Sequence, residues 1–238
     1  MEQVVAAPAY ARHNKEYIES MSAHIQSAET RERDKIARLS RSLYERGLTA
    51  GSSGNISVRL EDGWLLTPTN SCLGELDPAR ISKLDWNGQV LAGDAPSKEA
   101  FLHRSMYEVR PQAGAIVHLH STHSAAVSCL AGLDADSCMP PLTPYFVMKI
   151  GRLPLVAYHR PGDKALGEVI RGLAAKHSAV LLSNHGPVVS GPDLEGAIYA
   201  SEELEETAKI FLLLQGRATN CLNAAQMEEL KVAFKLDL

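Results

Sequence analysis

Histidines at separate places in the chain could together bind a metal ion. A single residue separates His118 from His120, and the two histidines end an apolar, β-branched run that begins at Ala115. If this run is a strand, both imidazoles project from one face, because side chains alternate across a strand. Two imidazoles on one face are well placed to share a divalent cation. The pair alone is a weak signal, because such pairs also occur as surface or packing histidines.

His185 is the candidate for a third ligand. It follows a buried-type apolar run and lies in a turn with Asn184 and Gly186. Loops that follow strands are common positions for ligating side chains. Three histidines, with a fourth position open or filled by a carboxylate, are typical of a catalytic zinc site. His123 could face the same pocket, although a capping or packing role is favoured.

The other histidines have no matched partners in the sequence. His103, His159 and His177 are therefore interpreted as structural or exposed residues.

Stretches rich in glycine and hydroxyl side chains could bind a phosphate group. In the loop at 50–57, the glycines allow close backbone approach and Asn55 offers an amide donor. Thr69 follows the next expected strand, and Ser97 and Lys98 open an expected helix whose N-terminus would favour an anion. Taken singly, each stretch could equally be an ordinary turn or helix cap.

Glu99 lies in the first turn of that expected helix. The helix dipole favours a carboxylate there whatever its function. A carboxylate beside a metal ion can also ligate the ion or transfer a proton. Sequence spacing alone does not choose between these roles.

Short strands and longer helices must position these residues. Helical patterns are expected at 29–47, 97–110, 121–132, 163–177 and 192–216. Short apolar runs predict strands at 56–60, 64–67, 89–91, 115–120, 153–158, 179–183 and 188–189. Long helices flanking a mixed sheet predict an α/β fold with three layers, α/β/α.

Composition narrows the class of protein. A chain of 238 residues with 45% hydrophobic and 22% charged residues fits one globular domain, which we place at 29–238, after an N-terminal extension at 1–28. No apolar run is long enough to span a bilayer, and no secretory signal is recognised. The four cysteines lack C-x-x-C spacing, which favours free thiols in a cytoplasmic protein. A net charge of −4 argues against nucleic acid as a partner.

Taken together, the short motifs resemble those of the class II aldolase/adducin-head family, in the same order and over about residues 30–216. The motifs that carry the resemblance are Gly54-Asn55-Ile56-Ser57, Thr67-Pro68-Thr69, Pro96-Ser97-Lys98-Glu99, His118-Leu119-His120 and Asn184-His185-Gly186. The resemblance implies a mixed, largely antiparallel central sheet between helical layers, and a homotetramer with active sites at subunit interfaces.

The resemblance also implies roles for individual residues. The metal ligands for Zn²⁺ or another divalent cation would be His118, His120 and His185. Glu99 would be a fourth ligand when no substrate is bound. Glu99 would be the acid/base. The substrate phosphate would lie against Asn55, Thr69, Ser97 and Lys98. Tyr145 matches an interface position at which aldolases carry a tyrosine proton donor.

Within the family, the sequence most resembles the 3-oxo-tetronate 4-phosphate decarboxylases, on the stretches 97–104, 118–124, 140–145, 158–163 and 202–209. Such an enzyme would release CO₂ from a β-keto acid and leave an enediolate, which becomes dihydroxyacetone phosphate on protonation. A divalent ion would stabilise the developing negative charge. The alternatives are retro-aldol cleavage or 4-epimerisation of a ketose phosphate, such as fuculose or ribulose phosphate, and a non-catalytic, adducin-like interaction domain.

Two residues depart from the fuculose-phosphate aldolase pattern. Lys98 replaces a serine of that enzyme, and Asn70 replaces a glycine. Both changes lie among the expected phosphate contacts and bear on which substrate is bound.

Overall fold

A computed structural model gives the positions of residues 28–236. Within these residues the strands form a single eight-stranded sheet. The strands are β1 (Asn55–Arg59), β2 (Trp64–Leu66), β3 (Ser82–Leu84), β4 (Val90–Ala92), β5 (Ala115–His118), β6 (Leu155–Val156), β7 (Ala179–Leu182) and β8 (Pro187–Gly191). The expected extension at 1–28 lies outside the described residues, except for residue 28. The domain boundary therefore stays a prediction.

The strand order is β4-β3-β2-β1-β5-β8-β7-β6. All neighbouring pairs are antiparallel except β6 and β7, which are parallel. This arrangement confirms the mixed, largely antiparallel sheet. β3 was not predicted, because Ser82 and Lys83 are polar and Leu84 is the only apolar residue of the strand. The segment predicted at 115–120 ends as a strand at His118, opposite Asn55 at the start of β1, and beyond it, among the described residues, only Leu119 N reaches β8, at 3.4 Å from the Pro187 oxygen.

The helices are α1 (residues 28–45), α2 (Ala100–Val109), α3 (Thr122–Ser128), α4 (Pro144–Lys149), α5 (Ala165–Ala174), α6 (Leu194–Leu213) and α7 (Ala224–Phe234). Helices α4 and α7 were not predicted from the sequence. Helix α4 has only six residues, and α7 buries none of its side chains, so neither shows a clear apolar periodicity. Within residues 28–236, no helix is both long enough and apolar enough to cross a bilayer.

Helices cover both faces of the sheet, which confirms the three-layer α/β/α class. On one face, α2 and α5 pack through Leu102 and Ile170 against sheet residues that include Ile116. On the other face, α1, α3, α4 and α6 cover the residues that alternate with these, among them Val117. Each buried aliphatic side chain of this kind contributes about 1.5–3 kcal/mol. The sheet is therefore a rigid platform for whatever lies at its edge.

Candidate metal centre and active site

One edge of the sheet collects the ends of several strands. His118 is the last residue of β5 and pairs with Asn55, the first residue of β1, and with Val188 near the start of β8. His185 lies in the turn that joins β7 to β8. The sheet register therefore brings segments that are distant in the chain to the same place.

The same register determines which side chains point towards α2. Ile56 and Val117 pack on the α1 and α6 face, so their neighbours Asn55 and His118 point towards the α2 face. Glu99 is the N-cap residue of α2 and enters from that side. The Glu99 carboxylate and the His118 imidazole therefore meet on the α2 face of a regular part of the sheet.

The three predicted histidines converge through their Nε2 atoms. The Nε2–Nε2 distances are 3.1 Å between His118 and His120, 3.3 Å between His118 and His185, and 2.9 Å between His185 and His120. Tetrahedral zinc with bonds of about 2.0–2.1 Å would place its nitrogen ligands about 3.3 Å apart. The cluster therefore has nearly the spacing of one face of a zinc tetrahedron.

The hydrogen bonding and protonation of the imidazoles also suit a metal ion. His118 Nδ1 donates to the carbonyl oxygen of Pro187 at 2.8 Å, which leaves Nε2 with a free lone pair towards the other rings. Burial lowers the pKa of His118 and His120, and burial together with His118 lowers the pKa of His185 to about 4. Neutral imidazoles are the form that binds a cation. The donor set thus fits a divalent ion such as zinc.

Glu99 stands directly beside this cluster. Its Oε2 lies 3.4 Å from His118 Nε2, and its Oε1 lies 3.7 Å from His185 Nε2. Burial acts to raise the pKa of Glu99, but the nearby His118 and a hydrogen bond from Asn55 together hold it below its usual value. The side chain is therefore an ionised carboxylate in reach of the same cation.

Two glycines allow the backbone to close around the ligands. A Cβ atom on Gly186 would lie 2.2 Å from the carbonyl oxygen of Leu119. Gly54 has a φ of +78°, and a Cβ atom there would lie 2.8 Å from the carbonyl oxygen of His118. Glycine at both positions lets the segment that carries His118 and His120 pack tightly between its neighbours.

Of the predicted phosphate contacts, Asn55 and Ser97 bond with Glu99, Lys98 precedes it in the chain, and Thr69 lies on a neighbouring segment. The bridge between Pro68 and Pro96, with the hydrogen bond from Thr69 N to Ala95 O, places Thr69 beside the segment that precedes α2. Ser97 is buried, and its Oγ accepts a hydrogen bond from Glu99 N at 3.3 Å, whereas Lys98 is exposed.

The expectation that a helix begins at 97 is corrected, because α2 begins at Ala100. Ser97 and Lys98 therefore lie in a turn before the helix, and not in its first turn. Asn55 Nδ2 donates to Glu99 Oε2 at 2.8 Å, so one amide hydrogen remains for another acceptor.

Tyr145 is not part of this cluster within one chain. It lies in the first turn of α4 and is 64% exposed. Among the described residues, no hydrogen bond joins it to Glu99 or to the three histidines. Its predicted role as an interface proton donor stays a prediction.

His123 packs away from the three imidazoles. Its Nδ1 bonds with Glu205 Oε1 of α6 at 2.8 Å, which agrees with the packing role that we favoured. His159 pairs with Asp163 at 3.3 Å, and His177 is partly buried.

Basic residues near α4 and β6 fall at opposite edges of the sheet. Lys149 and Arg152 line cavities beside Ser178, which precedes β7, so they lie at the edge remote from the histidines. Arg160 follows β6, which runs parallel to β7, and so leaves the sheet at the histidine edge. Of these three cations, only Arg160 follows a strand that ends at the histidine edge.

Sequence reasoning missed the polar side chains behind Glu99. His103 is fully buried, and its Nε2 bonds with Asn55 Oδ1, so it contacts a site residue directly. The available signal was its spacing, because His103 lies four residues after Glu99 and hence on the same side of α2. Glu205 was also missed, since nothing local links α6 to the residues after His120.

Comparison with known proteins agrees with this geometry. The family model for the class II aldolase and adducin N-terminal domain matches residues 34–212. The chain is 50% identical over 205 residues to a 3-oxo-tetronate 4-phosphate decarboxylase from Pectobacterium atrosepticum, covering 86% of this chain and 94% of the relative. It is 33% identical over 187 residues to L-fuculose phosphate aldolase from Escherichia coli K12, covering 76% and 84%.

A solved structure has the same fold. The crystal structure of YgbL from Escherichia coli, described as an aldolase/epimerase/decarboxylase, superposes with a TM-score of 0.84 at 47% identity, covering 86% of this chain and 99% of that one. The family match spans most of the chain and includes every residue of the histidine cluster. This chain therefore belongs to the class II aldolase and adducin N-terminal domain family.

Proposed function

We propose that this chain is a metal-dependent carboxy-lyase that converts a 3-oxo-tetronate 4-phosphate to dihydroxyacetone phosphate and CO₂. The observation that carries the proposal is the convergence of three neutral imidazoles beside an ionised carboxylate. The identity of 50% to a named decarboxylase, over nearly the whole of that relative, supports the substrate class.

The alternatives have less support. Retro-aldol cleavage would use the same kind of site, but the fuculose phosphate aldolase is only 33% identical to this chain. An adducin-like interaction domain would not need the three histidines, yet all three are present and meet at one point. Decarboxylation is therefore the function that the relatives favour, and the site is able to support it.

The proposed reaction breaks the bond between C1 and C2 of the substrate and consumes one proton at C2. A bound divalent cation would supply Lewis-acid stabilisation of the negative charge that develops as CO₂ leaves. Glu99 lies beside the imidazoles, and we assign to it the transfer of the proton to C2. It would take up from the solvent the one proton that the reaction consumes, deliver it to C2 and so return to the carboxylate. Tyr145 of a neighbouring subunit is the alternative donor.

Binding of the substrate is assigned to the segments around Glu99. The phosphate would accept hydrogen bonds from Asn55, Thr69 and Ser97, with the Lys98 ammonium adding positive charge. These groups lie on segments joined by the bridge between Pro68 and Pro96.

The metal and the assembly are also proposals. We assign Zn²⁺, or another divalent cation, to His118, His120 and His185, with Glu99 as a ligand when substrate is absent. We further propose a cytoplasmic homotetramer with interface active sites. The exposure of Tyr145 is consistent with a position against a neighbouring subunit.

The test is product analysis of the purified protein with zinc added. 3-Oxo-tetronate 4-phosphates and the ketose phosphates of fuculose and ribulose are assayed side by side for CO₂ and for aldehyde. CO₂ and dihydroxyacetone phosphate from the first group, lost in His118→Ala but kept in His177→Ala, are the expected products. His177 lies beside Ser178 at the opposite edge and serves as the matched control. Aldehyde release from a ketose phosphate without CO₂ release would show that the chain is an aldolase instead.

A further inference from the structure

A row of buried polar side chains leads from the protein interior to Glu99. Asn55, Ser57, His103 and Tyr107 are each at most 4% exposed. Buried polar groups of this kind cost free energy unless they are hydrogen-bonded to one another. Here each is bonded to the next, so the row forms one connected network.

The contacts run in sequence from Tyr107 to the carboxylate. Tyr107 OH lies 2.9 Å from Ser57 Oγ, which lies 2.7 Å from His103 Nδ1. His103 Nε2 lies 2.5 Å from Asn55 Oδ1, and Asn55 Nδ2 lies 2.8 Å from Glu99 Oε2. His103 therefore has one hydrogen-bond partner at each ring nitrogen.

The chemistry of the last link fixes the direction of all the others. Asn55 turns its NH₂ group towards Glu99 Oε2 and its Oδ1 towards His103 Nε2, and an amide NH₂ group can only donate, so Glu99 accepts. Because Oδ1 can only accept, His103 Nε2 must carry the hydrogen. His103 Nδ1 then accepts from Ser57, whose oxygen accepts from Tyr107. Every donor in the row points towards the carboxylate.

Burial supports this single arrangement. It lowers the pKa of His103 to about 3, so the ring is neutral and has one N–H to donate. Burial also raises the pKa of Tyr107, which keeps its hydroxyl hydrogen in place. Arg59, 4.6 Å from the centre of the Tyr107 ring, holds that ring from the other side.

We propose that His103 is a positioning residue, whose Nε2–H holds the Asn55 amide with its NH₂ group towards Glu99. This inference rests on the proposed function of Glu99 in proton transfer. Without the imidazole donor, the Asn55 amide has no partner to oppose its rotation. Glu99 then loses the neutral donor that holds one of its oxygens beside the imidazoles.

The experiment compares two variants of nearly equal size. His103→Gln offers an amide N–H near the position of Nε2, whereas His103→Met fills similar space without a donor. We expect kcat for CO₂ release to fall about 10–100-fold in H103M, as for other residues that orient a metal-site ligand, and to stay within about threefold in H103Q. Thermal unfolding and metal content, measured on both variants, show that each is folded and loaded.

Equal kcat in H103M and wild type would overturn the proposal, and so would equal losses in H103M and H103Q. A readout independent of turnover is the ring tautomer, measured by long-range ¹H–¹⁵N NMR on the full chain labelled at histidine. A proton on Nε2 of His103 is expected, and a proton on Nδ1 would also overturn the proposal. If the wild-type protein released no CO₂, the proposed function would fail, while the tautomer would still test the hydrogen-bond direction.

Discussion

Glu205 is expected to anchor the helix that follows the metal-binding segment. Its two carboxylate oxygens accept hydrogen bonds of 2.7–2.8 Å from His123 N, His123 Nδ1, Ser124 N and Ser124 Oγ. These groups open α3, which begins at Thr122, two residues after His120. The carboxylate thus replaces the partners that the first N–H groups of a helix lack.

We predict that Glu205→Ala destabilises the folded chain by about 4 kcal/mol. The change leaves two backbone N–H groups without an acceptor, and each buried, unpaired donor costs about 1–3 kcal/mol. The His123 ring and the Ser124 hydroxyl can turn to other partners, so they add little. For a chain of this size, the loss corresponds to a fall in Tm of about 10 °C.

The assay is urea denaturation at pH 7 of the wild type, Glu205→Ala and the adjacent control Glu206→Gln. Glu206 is exposed, so its change is expected to stay within about 0.5 kcal/mol. A free energy of unfolding for Glu205→Ala within about 1 kcal/mol of wild type would refute the capping role.

The pH dependence of Glu205 has a defined sign. Burial acts to raise its pKa, but the hydrogen bonds from His123 and Ser124 outweigh burial and hold it below its usual value. The stability that this carboxylate contributes is therefore complete above the unfolded pKa of about 4.3, and it is lost as the pH falls through the folded pKa. The difference in the free energy of unfolding between wild type and Glu205→Gln should therefore become smaller as the pH falls through that acidic range.

Three further predictions concern the site and the thiols. Glu99→Gln should lower kcat for CO₂ release by about 10²–10⁴-fold in steady-state assays, and near-normal turnover would remove the proton-transfer role. Gly186→Ala should weaken zinc binding by at least about tenfold in a chelator competition, because the added Cβ forces apart backbones that carry ligands; unchanged affinity would contradict the tight packing. Burial raises the pKa of Cys138 to about 12, so mass spectrometry after alkylation of the native protein at pH 8 should find the exposed Cys129 and Cys221 modified and Cys138 intact. Rapid modification of Cys138 would show that its environment opens.

The parts of the fold that the sequence predicted are those with local signals. The alternation around His118 and His120 correctly placed both rings on one side, even though the strand ends at His118. The layers followed from long amphipathic helices such as α6. The short β3 and the exposed α7 escaped prediction, because β3 has a single apolar residue and the apolar residues of α7 do not form one buried face.

Only the site residues that lie in short sequence motifs could be predicted from the sequence. The grouping of His185 with His118 was first inferred from the turn after an apolar run and then from the family pattern, and the structure shows how the register of β5 with β8 produces it. The contact of His103 with Asn55 depends on how α2 lies on β1, across 48 residues of sequence. The contact of Glu205 with His123 joins residues that are 82 positions apart in the sequence. Nothing local encodes such pairs.

The central claim is that the three imidazoles hold one divalent cation on which turnover depends. The most direct measurement removes metal with a chelator, adds zinc back in steps, and records bound metal and CO₂ release together. We predict that activity rises in proportion to bound zinc, up to one ion per chain, and that His120→Ala neither binds the ion tightly nor turns over. Full CO₂ release by protein stripped of metal would contradict the account.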